Sequence, residues 1–232
     1  MNSDANHGTE LARILEPEVM DTREEAVDYD SMDHAEVNRR FVADLLASGP
    51  RLTDVLDLGT GTAQIPLELC RQAGELGRQA QIVAVDLSAE MLKVAAVNVQ
   101  QAGLGRQIQL ELSDAKGLAH PTGRFSTVMS NSIVHHIPSP ASVLAEAVRV
   151  TAPGGLLFFR DLMRPKNERV LQELVELYAG GANAHQRQMF DDSLHAALSL
   201  AEIRQLVTYL GFAAESVQAT SDRHWTWVGR KS

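Results

Sequence analysis

The chain has 232 residues, 44% of them hydrophobic, which suits one α/β domain with a sizeable core and a small appendage. Asp and Glu number 30 against 21 Lys and Arg, and the formal charge of −9 disfavours the phosphate electrostatics that dominate nucleic-acid binding. Cys70 is the single cysteine, so an intramolecular disulfide and a thiolate-rich metal site are excluded, and its place in Leu67-Glu68-Leu69-Cys70 reads as small core.

Residues 1–10 are polar and lack the basic and apolar blocks of a signal peptide. No run approaches the roughly 18 apolar residues of a membrane span. The expectation is a soluble, cytoplasmic protein without stable membrane insertion. Residues 1–32 read as an N-terminal cover segment holding a short helix, and 33–232 as the main domain. Asp33-His34-Ala35-Glu36 has the pattern of a capping box. Val37, Phe41, Val42, Leu45 and Leu46 then share one face of an amphipathic helix.

Strands and helices alternate from there. The apolar runs 54–58, 81–86, 108–112, 125–130 and 156–162 read as strands. Helices are predicted over 65–73, from Ser88 to the stop at Gly103, and from Ser139-Pro140 to just before Pro153. Apolar strands between amphipathic helices imply a parallel sheet covered on both faces. Residues 168–178 read as a helix and 180–192 as a loop, and 163–198 together as a substrate cover. Ser199-Leu200-Ala201-Glu202 caps a helix that stops at Gly211, and 213–219 with 224–230 form a terminal hairpin.

The chemistry gathers at strand ends. Asp57-Leu58-Gly59-Thr60-Gly61-Thr62-Ala63 follows the first strand. Glycines there let a ligand approach the backbone, and the next helix offers free amides. A dinucleotide turn needs a third glycine where Gln64 stands, which argues against a nicotinamide-dependent oxidoreductase. Asp57 would repel a pyrophosphate but attract a cationic amino group. Asp86 ends the second strand, where a carboxylate can accept both hydroxyls of a ribose. Asp114 follows the third strand and can accept from an adenine amino group.

The segment 54–162 resembles the class I S-adenosylmethionine-dependent methyltransferases. The matching runs are Val55-Leu56-Asp57-Leu58-Gly59-Thr60-Gly61, Val85-Asp86-Leu87-Ser88-Ala89-Glu90-Met91, Asp114-Ala115, Ser130-Asn131-Ser132-Ile133-Val134-His135-His136-Ile137 and Ala152-Pro153-Gly154-Gly155. Tyr29-Asp30-Ser31-Met32 and Arg160-Asp161-Leu162-Met163-Arg164-Pro165 are loosely similar to the ubiquinone and menaquinone C-methyltransferase branch. The resemblance implies a Rossmann-like three-layer sandwich, with a seven-stranded, mostly parallel sheet whose last strand is antiparallel. It implies S-adenosylmethionine as cofactor, held by Tyr29, Asp57, Gly59, Gly61, Asp86, Leu87, Met91, Asp114, Ala115 and Asn131. Ala63 stands where many members have a third glycine.

His135, His136 and Asp161 are the catalytic candidates, since a histidine beside the acceptor can take its proton. The other histidines lack ligand spacing, and no metal is expected. The acceptor is expected to be a small molecule. An RNA or protein methyltransferase is the alternative within the family, disfavoured by the acidic balance and by the absence of an Asn/Asp-Pro-Pro-aromatic tetrad. The sequence leaves a homodimer open.

Overall fold

Side chains of a strand alternate between the two faces of a sheet, so a sheet buried on both sides needs apolar residues at nearly every position. The computed structural model describes residues 11–16 and 21–232, and the rest of the expected cover, 1–10 and 17–20, lies outside the described residues. Five parallel strands form the sheet's main body: β1 (Val55–Leu58), β2 (Ile82–Asp86), β3 (Ile108–Leu112), β4 (Phe125–Asn131) and β5 (Thr151–Leu162), with β3 the edge strand that alternates apolar and polar residues instead. On β5, Leu156 and Phe158 enter one core, while Leu157 and Phe159 enter the other.

Helices α2 (Ala35–Ala47), α3 (Gln64–Glu75) and α4 (Ala89–Gln101) cover the first face with Phe41, Leu45, Leu69, Ala73, Ala95 and Val99. Helices α5 (Pro140–Val150) and α8 (Leu200–Tyr209) cover the second, through Val143, Leu144, Ile203 and Val207. Cys70 is buried in the first core, as expected. The short strand β6 (Val217–Ala219) and β7 (His224–Arg230) complete a seven-stranded sheet of order β3-β2-β1-β4-β5-β7-β6. Only β7 runs against the rest, paired with β5 and β6. The expected sandwich is therefore the observed one. The strand order reverses between β1 and β4, which opens a crevice at their carboxyl ends.

Several local expectations are corrected. Residues 180–192 are not a loop: helix α7 (Ala184–Ala196) starts there, with Asn183 and Gln186 forming a reciprocal capping box. Helix α6 (Glu168–Ala179) packs on α7 through Leu171, Leu174, Val175 and Leu194, a small separate core. Asp33 forms no capping box with Glu36: it accepts from the Ala35 amide, and Glu36 instead pairs with Arg39. Ser139 makes no side-chain cap, and the helix begins on Pro140. Strand β5 starts at Thr151, five residues earlier than read, because Pro153-Gly154-Gly155 forms an irregular stretch between register positions Phe125 and Thr127 of β4. The run 213–219 opens with a single helical turn (Ala214–Ser216) before β6.

Candidate active site

The crevice is a cleft built from strand ends. Gly59 and Gly61 after β1, Asp86 at the end of β2, Asp114 and Ala115 after β3, and Asn131 at the end of β4 all line it. Leu87 and Met91 enter from the β2–α4 connection, and Tyr29 from α1 (Arg23–Ser31). Nine of the ten residues expected to hold the cofactor thus meet in one cleft, and Asp57 is the one that does not line it.

The glycine turn is held by its neighbour strand, since the amides of Gly59 and Thr60 both donate to the Val85 carbonyl at 2.9 Å. Gly59 has φ +70°, and a Cβ added there would lie 2.0 Å from Ile133 Cγ2. Left-handed backbone costs an L-residue about 1–2 kcal/mol, and the methyl group would also have to push Ile133 off its place on the cleft wall. Gly59→Ala should therefore lower stability by about 1–3 kcal/mol and the melting temperature by several degrees. An unchanged Tm would show that the turn relaxes freely. Ala63 takes φ +66° at the start of α3, a left-handed backbone conformation that favours glycine.

Asp86 links this turn to the next. Its Oδ2 accepts from the Gly61 amide at 2.7 Å and its Oδ1 from the Ser88 amide at 2.9 Å. Each carboxylate oxygen can accept more than one hydrogen bond, so both retain capacity toward the cleft. Burial raises its pKa, opposed by those amides. Asp114 differs. Burial pushes it up, but the Lys116 amide at 2.8 Å and its ammonium at 3.1 Å hold it below the usual range.

Asp57 lies beneath the turn, 2% exposed, and its Oδ2 has no hydrogen-bond partner. Burial raises it to about 7, and Asp86 adds to the rise. Tyr29 stacks on His34 with centroids 5.0 Å apart, and burial, then Asp86, lifts its hydroxyl to about 12. Sequence reasoning missed what fastens α1 over the cleft. Asp30 accepts from Asn98 at 2.9 Å and from Gln64 at 3.1 Å, and Asn38 donates to the other side of Gln64. Gln64, in the place of a dinucleotide-binding glycine, is therefore a strut for this helix.

The turn after β4, Val134–His136, separates the two histidines. His136 lines the cleft beside Ile133 and Ile137, whereas His135 and Asp161 lie behind the wall, 4% and 1% exposed. His135 Nδ1 is 2.5 Å from Asp161 Oδ1. The amides of Val134 and Leu162 donate to Asp161 at 2.6 Å each. Burial lowers the His135 pKa, but Asp161 and Glu16 outweigh it and the net direction is up. Asp161 itself is held down by His135 and the two amides against burial. Residues 11–16 pack over the turn: Arg13 donates to the carbonyls of His135 and Ile137 at 3.0 Å, and the Ile14 amide to His195 of α7 at 3.1 Å. The expected substrate cover, 163–198, reaches this turn through α7 but contributes no residue to the cleft lining. Among the described residues no helix is long and apolar enough to cross a membrane.

Residues 55–155 match the family described as methyltransferase domain. The ubiquinone biosynthesis O-methyltransferase of Thiobacillus denitrificans is 34% identical over 110 residues, 47% of this chain and 44% of that protein. The ubiquinone/menaquinone biosynthesis C-methyltransferase of Shewanella pealeana is 24% identical over 141 residues, 61% of this chain and 54% of that protein. The chain thus spans about half the length of the curated relatives it matches. Among solved structures, a SAM-dependent methyltransferase from Aquifex aeolicus superposes with a TM-score of 0.64 at 16% identity, covering 91% of this chain and 99% of that one.

Proposed function

We propose that this chain, a class I methyltransferase through residues 55–155, transfers a methyl group from S-adenosylmethionine to a small-molecule acceptor in the cytoplasm. The observation that carries the reading is the meeting of the glycine turn and the strand-end carboxylates Asp86 and Asp114 in one cleft. The residues suit the cofactor's parts. Asp86 is placed to accept both ribose hydroxyls. Asp114, held ionised by Lys116, is placed to accept from the adenine amino group. Asn131 sits toward the methionine end, and Asp57, beneath the turn and outside the lining, acts on the ammonium through its charge.

Bound S-adenosylmethionine supplies an electrophilic sulfonium methyl. In-line displacement then needs alignment and water exclusion more than covalent help. Tyr29 and α1, strapped by Asp30, close one side of the cleft. Ile133 and Ile137 make part of the lining apolar, and His136 is the group beside them that can take a proton from a hydroxyl acceptor. His135 and Asp161 act as positioning residues behind it. The described part of the N-terminal segment and residues 163–198 serve in this reading as covers around the domain.

Calorimetry tests the cofactor directly. S-adenosylhomocysteine should bind and NAD should not. Asp86→Ala removes two charge-assisted hydrogen bonds to the ribose, each contributing about 1.5–3 kcal/mol, so affinity should fall at least about tenfold. A native-like circular dichroism spectrum keeps the comparison fair, because Asp86 also holds the Gly61 amide. NAD binding without a response to the adenosyl compound would overturn the assignment. The acceptor screen starts with quinol-like phenols, the class suggested by relatives named for ubiquinone biosynthesis.

A further inference from the structure

Behind the cleft wall three ligand-type atoms converge that no motif brings together in sequence. Glu16 Oε1 lies 3.2 Å from His136 Nδ1 and 3.5 Å from His135 Nε2. All three atoms fall within 4.8 Å of one another. Glu16 is held from its other side, where Ser193 donates to Oε2 at 3.1 Å. Its side chain is only 11% exposed, yet Oε1 makes no hydrogen bond. A buried carboxylate oxygen facing two imidazole nitrogens needs positive charge between them, and a bound cation would supply it.

The imidazoles are presented in a matching way. Asp161, ionised and fixed by two backbone amides, accepts from His135 Nδ1. That bond fixes the ring and aims Nε2 at Glu16. Carboxylate–histidine pairs of this kind orient the ring and raise its basicity as a metal ligand. Arg13, the nearest guanidinium, is turned onto the carbonyls of His135, Ile137 and Ala196. Distances agree as well. Bonds of about 2.1 Å in a tetrahedral zinc site place neighbouring ligand atoms about 3.4 Å apart. The separations of 3.2 and 3.5 Å from Glu16 are tetrahedral edges of that size.

We propose that Glu16, His135 and His136 form a binding site for one divalent metal ion of the zinc class, with Asp161 supporting His135 from behind. Three protein ligands leave a fourth position open, the arrangement of sites that keep a water or ligand on the metal. An ion there clamps residues 11–16 onto the turn after β4. It also takes the Nδ1 lone pair of His136 and leaves that ring's Nε2 protonated, so a loaded site and a proton-accepting His136 exclude each other.

The test uses the full chain, stripped with chelator and titrated with Co2+ and Zn2+. Co2+ should bind with one-to-one stoichiometry and give the intense visible bands of four-coordinate cobalt, and Zn2+ should displace it. Glu16→Gln keeps the shape and removes the charged ligand. Affinity for Co2+ should fall at least about tenfold in it, and further in Glu16→Gln/His136→Asn. Asp161→Asn should weaken binding about 10–100-fold, the range seen when a ligand's supporting partner is lost. Glu16 lies outside the sheet, so Glu16→Gln still reports if the His or Asp161 variants misfold. No visible bands, or bands of equal strength in Glu16→Gln, would overturn the site and assign a shared proton to this cluster. S-adenosylhomocysteine binding, measured on the same samples, separates that failure from a failure of the cofactor assignment.

Discussion

His136→Gln should lower turnover of a hydroxyl acceptor by about 10²–10⁴-fold, the usual cost of removing a general base. The ring lines the cleft with Ile133 and Ile137, whereas Asp86 and Asp114 are the residues read as holding the ribose and adenine. Its loss should therefore leave S-adenosylhomocysteine affinity nearly unchanged, because it serves the acceptor. A base works only unprotonated, so the acid limb of the rate–pH profile should vanish with it. The measurement belongs in chelator-treated protein, where no metal competes for Nδ1. His135→Gln should act differently. It leaves Asp161 buried with only its two amide donors, so stability should drop with turnover. Normal turnover in His136→Gln would show that alignment alone suffices.

Much of this site was legible because it lies where strands end. Gly59 and Asp86 follow apolar runs that can only be buried strands, and a carboxylate or glycine at such an end must face the crevice. Legibility failed where contacts cross long stretches of chain between polar groups. Nothing in the sequence near Glu16 tells that it meets a turn more than a hundred residues later, and nothing in it pairs Asp30 with Gln64 and Asn98. The neighbours His135 and His136 were alike in sequence. A tight helical turn rotates successive side chains by about 120°, which sends one ring to Asp161 and the other to the cleft. Helix α7 was hidden by composition, since its polar run after Gly180-Gly181 has only Phe190, Leu194 and Ala196 as inward anchors. The readable signal was Asn183 with Gln186, a capping box.

Asp57→Asn should make the ligand-free protein more stable and the cofactor complex weaker. Burial beneath the glycine turn raises the carboxyl to about 7, against about 3.9 in an unfolded chain. Between those values the native state binds more protons than the unfolded one, so stability falls as pH rises from about 4 to about 7. A shift of three units corresponds to a scale of about 4 kcal/mol, reached once the folded group is ionised. Asparagine cannot ionise, so the variant should lose this slope and melt higher than wild type at pH 8, with the two closer at pH 5. Cofactor binding reverses the balance. An ammonium beside Asp57 favours the ionised form, so wild-type affinity should rise with pH through about 7 as the cost of expelling the proton disappears. In the variant affinity should be lower at pH 8 and show no rise attributable to this group. Thermal unfolding with and without S-adenosylhomocysteine at the two pH values measures both halves. Parallel curves for the two proteins would mean that Asp57 is ionised throughout, with a donor supplied to Oδ2 from elsewhere. A stabilised variant that binds as tightly as wild type would instead separate Asp57 from the cofactor and leave it a strained element of the turn alone.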